Sequence, residues 1–314
     1  MSQNTTPLPY KKWTAEDIPN QSGRIMIVTG ANSGLGYECA LALAKKDAFV
    51  VMGCRNISKG KVAIEQIKNH HPEAKLDLIE LDLASFDSIR KFADTFNSRY
   101  EKLNVLFNNA GIMHAPKTLT KNGLELHIGV NHFGHFLLTG LLLDKLKQTS
   151  GSRVVQHSSN LHRSGSINFD DINFESKYRR TKAYSQSKLA NLLFAYELDR
   201  QFKIHNIDSI AVGAHPGYAA TNLQITGPKM SSRLLTLPYR IGNLLFAQSA
   251  QKGALPLLYG GVGDEVEGGD YFGPEKRMRG YPKRDLSSAE SYDQETAKRL
   301  WELSEKITGL HYEF

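Results

Sequence analysis

Two kinds of hydrophobic pattern alternate along the chain. Short apolar runs at Ile25–Val28, Phe49–Met52, Leu76–Leu81, Val105–Phe107, Val154–Val155 and Ile207–Val212 have strand length. Between them lie longer stretches with apolar residues at helical spacing: Lys59–Asn69, Phe86–Tyr100, Phe133–Lys147 and Tyr184–Phe202. Parallel strands need a crossover, and a helix packed back on the sheet supplies one. The alternation therefore predicts an α/β fold: a doubly wound parallel sheet of about seven strands, covered by helices on both faces. No Pro/Gly/Ser-rich linker, repeat or low-complexity block divides it. We expect a single domain over residues 23–314, behind a polar surface arm over residues 1–22. Past Thr221 the pattern weakens. Leu234–Phe246 is apolar, with Lys229, Arg233 and Arg240 around it, in a region of about 222–252 that we assign to a substrate loop. A pocket wall, a peripheral membrane contact, a core helix and a dimer contact all stay open for it. Gly260–Gly273 reads as a glycine-rich return to a last strand at Tyr271-Phe272. Glu290–Gly309 reads as a surface helix that turns Trp301 and Leu303 toward the body.

The first strand runs into Thr29-Gly30-Ala31-Asn32-Ser33-Gly34-Leu35-Gly36, after which Leu35, Cys39, Leu43 and Ala44 share one helical face. Gly30 permits a tight turn, Gly34 lets backbone approach a phosphate, and Gly36 lets helix and strand pack closely. The helix N-terminus then offers N–H groups and a positive dipole end to an anion. This is the plan of a Rossmann-type dinucleotide site, although the glycine spacing is longer than Gly-x-Gly-x-x-Gly, so its context has to support it. Three later strand ends do. Gly53-Cys54-Arg55-Asn56 lacks the acid that would take a ribose 2′-hydroxyl. It offers instead Arg55, whose guanidinium fork suits a 2′-phosphate, with Lys59 as a second charge; this points to NADP(H). Asp82, in Glu80-Leu81-Asp82-Leu83, can accept from an adenine amino group, and Asn108-Asn109-Ala110-Gly111 ends the fourth strand with small and polar residues. Ligands of open parallel sheets lie beyond such carboxyl ends.

With 40% hydrophobic and 23% charged residues, the 314-residue chain has the composition of an ordinary globular protein. Its formal charge of +7 comes from Lys and Arg spread along the chain with no run of five, which argues against nucleic acid and for a basic surface that attracts an anionic cofactor. Only Cys39 and Cys54 occur, so there is no disulfide framework, and a reducing compartment follows. The arm has neither the apolar core of a signal peptide nor membrane-spanning length, and the expected location is cytoplasmic.

The strongest chemical signal is Tyr184 with Lys188, four apart and so on one helical face in Ala-Tyr-Ser-Gln-Ser-Lys-Leu-Ala-Asn. A nearby ammonium favours the phenolate by about 1.36 kcal/mol for each pKa unit it lowers the tyrosine. A tyrosine so placed can exchange a proton with substrate. Upstream, Val154-Val155-Gln156-His157-Ser158-Ser159 ends a strand in hydroxyls that can hold a substrate oxygen. Ser185-Gln-Ser-Lys188 has the Ser-x-x-Lys form of acyl-transfer enzymes, but no Ser-Asp-Asn or Lys-Thr-Gly accompanies it. His127, His132 and His135 have no Cys or Glu cluster to complete a metal site and are read as packing or surface residues, so no metal is assigned.

In these residues the chain resembles the short-chain dehydrogenase/reductase family, in its compact single-domain branch. Thr29–Gly36, Asp82, Asn108–Gly111, Asn131, Ser159, Tyr184, Lys188 and Pro216-Gly217 with Thr221 fall in the family's order over roughly residues 22–223. Gly-Cys-Arg-Asn, Asn-His-Phe-Gly-His-Phe-Leu-Leu and Lys-Leu-Ala-Asn-Leu-Leu-Phe are most similar to the retinol dehydrogenase and WW domain-containing oxidoreductase group. The resemblance implies that Tyr184 is the general acid/base and that Lys188 lowers its pKa and binds the nicotinamide ribose. It implies that Ser159 polarises the substrate oxygen and that Asn131 holds a relay water. It also implies cofactor contacts at Gly30, Asn32, Ser33, Gly34, Leu35, Gly36, Arg55, Asp82, Leu83, Asn109, Ala110, Gly111, Tyr184, Lys188, Pro216, Gly217 and Thr221. The expected function is an NADP(H)-dependent oxidoreductase of a bulky, lipophilic small-molecule alcohol or carbonyl substrate, and a homo-oligomer stays open. A non-catalytic NADP(H)-binding regulator or redox sensor on the same fold is the alternative. A sugar-nucleotide epimerase is disfavoured, because that branch resembles Thr-Gly-x-x-Gly-x-x-Gly. Ser159 and Tyr184 are separated by a longer segment than in many members of the family.

Overall fold

In the computed structural model, residues 12–219 and 248–314 are described. Eight strands form one sheet: β1 Ile25–Thr29, β2 Phe49–Cys54, β3 Lys75–Glu80, β4 Val105–Asn108, β5 Ser152–His157, β6 Ser209–Ala214, β7 Tyr271–Pro274 and β8 Pro282–Arg284. Their order is β3-β2-β1-β4-β5-β6-β7-β8. Every pairing is parallel except β7 with β8. The strand beyond the expected seven is β8, an antiparallel edge of three residues, Pro-Lys-Arg, with no apolar pattern to betray it. The order reverses between β1 and β4, and the crevice at their carboxyl ends is where such sheets bind ligands.

The central strands alternate between two cores. Met26 and Val28 of β1 enter one hydrophobic cluster with Leu43, Phe107 and Leu257, whereas Ile27 enters another with Phe92, Phe136 and Phe202. The first lies under α1 Gly34–Ala44, α2 Ile57–His70 and α8 Ala250–Val262. The second lies under α3 Phe86–Arg99, α5 Gly134–Leu141, α6 Leu143–Gln148 and the 25-residue α7 Arg180–Ile204. The end of the N-terminal arm belongs to the first: Trp13 and Ile18 are 8% and 2% exposed.

Two expectations need correction. The pattern over Phe133–Lys147 is not one helix. It starts inside a π-helical segment, Gly129–Phe133, that follows a short α4, Leu126–Ile128, and it breaks at Leu142, whose φ of -104° and ψ of 5° lie outside the helical region. Gly260 is not in a loop but inside α8, with Gly253, Gly261 and Pro256. These residues are poor helix formers in isolation, but here the missing side chains let the helix lie against the sheet: a Cβ on Gly261 would penetrate the Phe107 ring, and one on Gly260 would stand 3.1 Å from Val212. The tail forms α9, Gln294–Thr308, stopped by Gly309 at φ 63°. Beyond it, Tyr312 Oη donates to the Phe136 carbonyl at 2.6 Å. Among the described residues no helix is long and apolar enough to cross a membrane.

Candidate active site

A cavity of about 1100 Å³ runs along the carboxyl ends of β1 to β5. Its floor is the turn from β1 into α1, where Gly30 and Gly34 hold φ values of +70° and +57° that side-chain-bearing residues rarely adopt. A Cβ on Gly36 would stand 2.5 Å from the Gly30 carbonyl and 2.6 Å from Asn109 Nδ2, so the third glycine is fixed by packing. Ser33, at the N-cap, makes no side-chain capping bond, which leaves the first N–H groups of α1 facing the cavity. Asn32, Ser33, Leu35, Arg55, Asp82, Leu83, Asn109, Ala110 and Gly111 line the same space, as the strand ends imply. Asn56 caps α2 by accepting from the Lys59 N–H at 2.9 Å, which sets Arg55 and Lys59 at the rim. Sequence reasoning missed Val62, Ala63 and Gln66 of α2 and Met113 beyond Gly111, all of which line the cavity. No motif marks them; the docking of α2 beside β2 brings the first three there, and the segment after β4 brings Met113.

A single hydroxyl ties the strand ends together. Thr29 Oγ1 accepts from the N–H groups of Asn109 and Ala110 at 3.0 and 2.9 Å, and Asn109 Nδ2 donates to the Thr29 carbonyl at 2.8 Å. The Thr29 hydroxyl proton is shared between His135 Nε2, 3.0 Å away, and the Phe107 carbonyl at 3.3 Å. His135 Nδ1 faces the Asn131 carbonyl at 3.1 Å, and a carbonyl only accepts, so Nδ1 carries the hydrogen and Nε2 is the acceptor. Burial pushes His135 down to about 3, which keeps it neutral and able to accept. Asn109 Oδ1, buried at the cavity wall, has no hydrogen-bond partner. A dinucleotide supplies polar groups to such an atom and phosphates to the α1 N-terminus, so the residues present fit one.

Tyr184, Lys188, Ser159 and Asn131 converge past Gly111. A Cβ on that glycine would stand 3.0 Å from Asn131 Oδ1 and 3.5 Å from Lys188 Nζ. Lys188 Nζ donates to the His157 carbonyl at 3.0 Å and lies 5.8 Å from the Tyr184 ring centroid. Burial lowers its pKa to about 7. Burial also raises Tyr184 to about 12, and the Ser159 hydroxyl, by hydrogen bonding to the phenol, pulls it the other way. Within the protein's own groups desolvation dominates at Tyr184, and the His157 carbonyl takes one of the three N–H donors of the Lys188 ammonium. Ser159 Oγ accepts from the Leu161 N–H at 3.3 Å, which leaves its proton to donate toward the Tyr184 side. The Asn131 amide is a clamp: Oδ1 accepts from Ile112 N–H at 2.9 Å, and Nδ2 donates to the Ile112 carbonyl at 3.1 Å and to Ser187 Oγ at 2.9 Å.

Pro216 and Gly217 follow β6. The Pro216 carbonyl accepts from Gln248 Nε2 at 2.7 Å, and Gly217 has φ 65°. Thr221 and Leu234–Phe246 lie outside the described residues. His127, His132 and His135 are all buried rather than on the surface, and among the described residues no three potential ligands gather for a metal.

The chain matches the short chain dehydrogenase family over residues 24–231, two-thirds of its length. It is 40% identical to retinol dehydrogenase 13 of Homo sapiens over 92% of this chain and 85% of that protein. It is 38% identical to retinol dehydrogenase 12 of Mus musculus over 93% and 88%. It is also 38% identical to the WW domain-containing oxidoreductase of Gallus gallus over 91% and 68%. An uncharacterized protein from Mycobacterium paratuberculosis, of solved structure, superposes with a TM-score of 0.81 at 36% identity, covering 97% of this chain and 100% of that one. The protein belongs to the short-chain dehydrogenase/reductase family of oxidoreductases, which bind nicotinamide cofactors. Within it, the chain is similar to retinol dehydrogenases.

Proposed function

We propose that the protein is an NADP(H)-dependent oxidoreductase that interconverts an alcohol and a carbonyl, with Tyr184 as the acid/base, on a bulky lipophilic substrate. The observation that carries this reading is the convergence of Tyr184, Ser159 and Lys188 behind Gly111 and His157, two lining residues of a cavity whose other rim presents Arg55 and Lys59 and no acid in their place. When bound, the nicotinamide supplies or accepts the hydride. The chain's own residues handle the rest: Ser159 Oγ–H donates to the substrate oxygen, Tyr184 Oη gives or takes its proton, and Lys188 stabilises the phenolate and orients the ribose. The fork of Arg55 suits a 2′-phosphate, and Lys59 adds charge beside it. Asp82 and Leu83 hold the adenine side, and Pro216, Gly217 and Thr221 the nicotinamide side. Residues 23–314 act as one unit, with about 222–252 as its substrate loop. Similarity to retinol dehydrogenases and the apolar Leu234–Phe246 support a lipophilic substrate.

The test has two arms. NADPH and NADH are titrated by fluorescence, and Arg55→Asp is expected to move the preference toward NADH; equal affinities in the wild type refute the cofactor assignment. Turnover is then followed at 340 nm across alkyl aldehydes of increasing length. Each buried methylene is worth about 0.8 kcal/mol, roughly fourfold in kcat/KM until the pocket is full. A flat series, or a preference for small polar carbonyls, refutes the lipophilic substrate.

A further inference from the structure

His162, three residues past Ser159, is fully buried and belongs to no motif singled out in the chain. Its Nδ1 faces the Ser159 carbonyl at 2.6 Å, and its Nε2 faces the Ser288 N–H at 3.0 Å. A carbonyl only accepts and an N–H only donates, so the tautomer is fixed: Nδ1 carries the hydrogen and gives it to Ser159, while Nε2 accepts from Ser288. Burial holds the ring neutral, with its pKa down at about 4; the Arg163 charge acts in the same direction, and the bond to the Ser159 carbonyl, Asp285 and Glu290 act against it. The ring packs edge-on to Tyr271 of β7 at 5.5 Å between centroids.

The far anchor is itself tied to the helix that carries Tyr184 and Lys188. Tyr196, three turns along α7, hydrogen bonds through its hydroxyl to Ser287 Oγ at 2.8 Å and stacks on Tyr292 at 5.0 Å. Ser287 Oγ meets Ser291 Oγ at 2.6 Å, and Ser291 Oγ donates to the Ser288 carbonyl at 2.6 Å, so hydrogen bonds within the turn over residues 287–292 hold its shape. Ser159 and Tyr184 are far apart in sequence and sit on different elements, yet a closed frame joins them: Ser159, His162, the 287–292 turn, Tyr196 and α7. A catalytic hydroxyl needs such support to stay within a few tenths of an ångström of its partner.

We infer that His162 is a positioning residue, which sets the Ser159 hydroxyl against Tyr184 by donating to the Ser159 carbonyl from a ring oriented by the 287–292 turn. The inference rests on the proposed roles of Ser159 and Tyr184. Substitutions separate its two bonds. In His162→Asn the amide nitrogen stands near the Nδ1 position and still donates to Ser159, whereas His162→Gln reaches only toward Ser288, and His162→Phe keeps a ring packed on Tyr271 but has no nitrogen for Ser159, Ser288 or the Tyr271 hydroxyl, which lies 3.4 Å from Nδ1.

The experiment compares all three with wild type by the ¹³Cζ shift of Tyr184 in tyrosine-labelled protein, a signal identified with Tyr184→Phe, and by kcat, KM and NADPH Kd. The Tyr184 signal is expected to move in His162→Gln and His162→Phe and to stay in His162→Asn. Misplacing a reacting group by about 1 Å costs up to roughly 10²-fold, so kcat should fall about 10- to 100-fold in the first two with NADPH Kd unchanged, and within about threefold in the third. An unmoved Tyr184 signal in a folded His162→Gln or His162→Phe overturns the inference, as does His162→Asn losing kcat as far as they do. The shift is read whether or not any aldehyde is turned over, so wild-type inactivity on every carbonyl refutes the proposed reaction without deciding the frame.

Discussion

Thr29→Val removes one hydroxyl, keeps the shape of the side chain, and should loosen the cofactor wall. Thr29 is fully buried, so water cannot replace what is lost. The Ala110 N–H loses its acceptor at 2.9 Å and His135 Nε2 loses its donor at 3.0 Å. The Asn109 N–H suffers less, because it also reaches the Phe107 carbonyl at 2.9 Å. Each buried polar group left unpaired costs about 1–3 kcal/mol, so the two orphaned atoms together cost about 2–6 kcal/mol. Thr29→Ser keeps the hydroxyl, gives up one methyl, and should cost about 1 kcal/mol. Urea unfolding followed by circular dichroism gives the stability difference, and NADPH titration gives the local consequence, since Ala110 lines the cavity. The expected order of stability is wild type, then Thr29→Ser, then Thr29→Val, with weakened NADPH binding in the last. If Thr29→Val unfolds within about 0.5 kcal/mol of Thr29→Ser and binds NADPH as tightly, the hydroxyl is not the hub described and the reasoning fails.

Tyr184→Phe should lose about 10² to 10⁴ in turnover while NADPH Kd stays near wild type, and Lys188→Ala should impair both; retention of more than a few per cent of activity by Tyr184→Phe moves the proton transfer elsewhere. Gly261→Ala gains up to about 1 kcal/mol of helix propensity but drives a methyl into Phe107, and overpacking of about 1–3 kcal/mol wins, so Tm should fall; an unchanged or raised Tm shows that the ring can yield. His132 and His135 are pushed down to about 3 by burial. Between pH 6.5 and 3 the unfolded chain binds protons there that the folded one does not, so their contribution is whole above pH 6.5 and lost as pH falls, at about 1.4 kcal/mol per pH unit for each histidine. Urea midpoints from pH 7 to 5 check this, and His135→Asn should flatten part of the slope.

The chain by itself determined the sheet and the line of strand ends that faces the cavity, because both follow from local regularities. Ile25–Val28 and Phe49–Met52 are apolar over strand length, and Gly30, Gly34 and Gly36 fall where a strand must turn into a helix; Tyr184 and Lys188 share a face at a spacing of four. Such signals survive without knowledge of neighbours. Only the tertiary structure decided the rest. Gly260 and Gly261 read as loop residues until Val212 and Phe107 stand opposite them, since a helix tolerates glycine when close packing on a sheet offsets its poor propensity. Pro282–Arg284 becomes a strand because β7 offers it a partner. The three histidines near Asn131 show no pattern that separates core from surface, and distant partners bury them: Thr29 meets His135, Ser304 of α9 meets His132, and Ala115 and Tyr178 meet His127. Asn131 is a clamp on Ile112 rather than a free amide, and His162 reaches Ser159 and Ser288 across 126 residues of chain, a pairing that no periodicity encodes. Hydrogen bonds between distant segments depend on where packed elements bring their ends, so the physical reason for those residues exists only once the fold does.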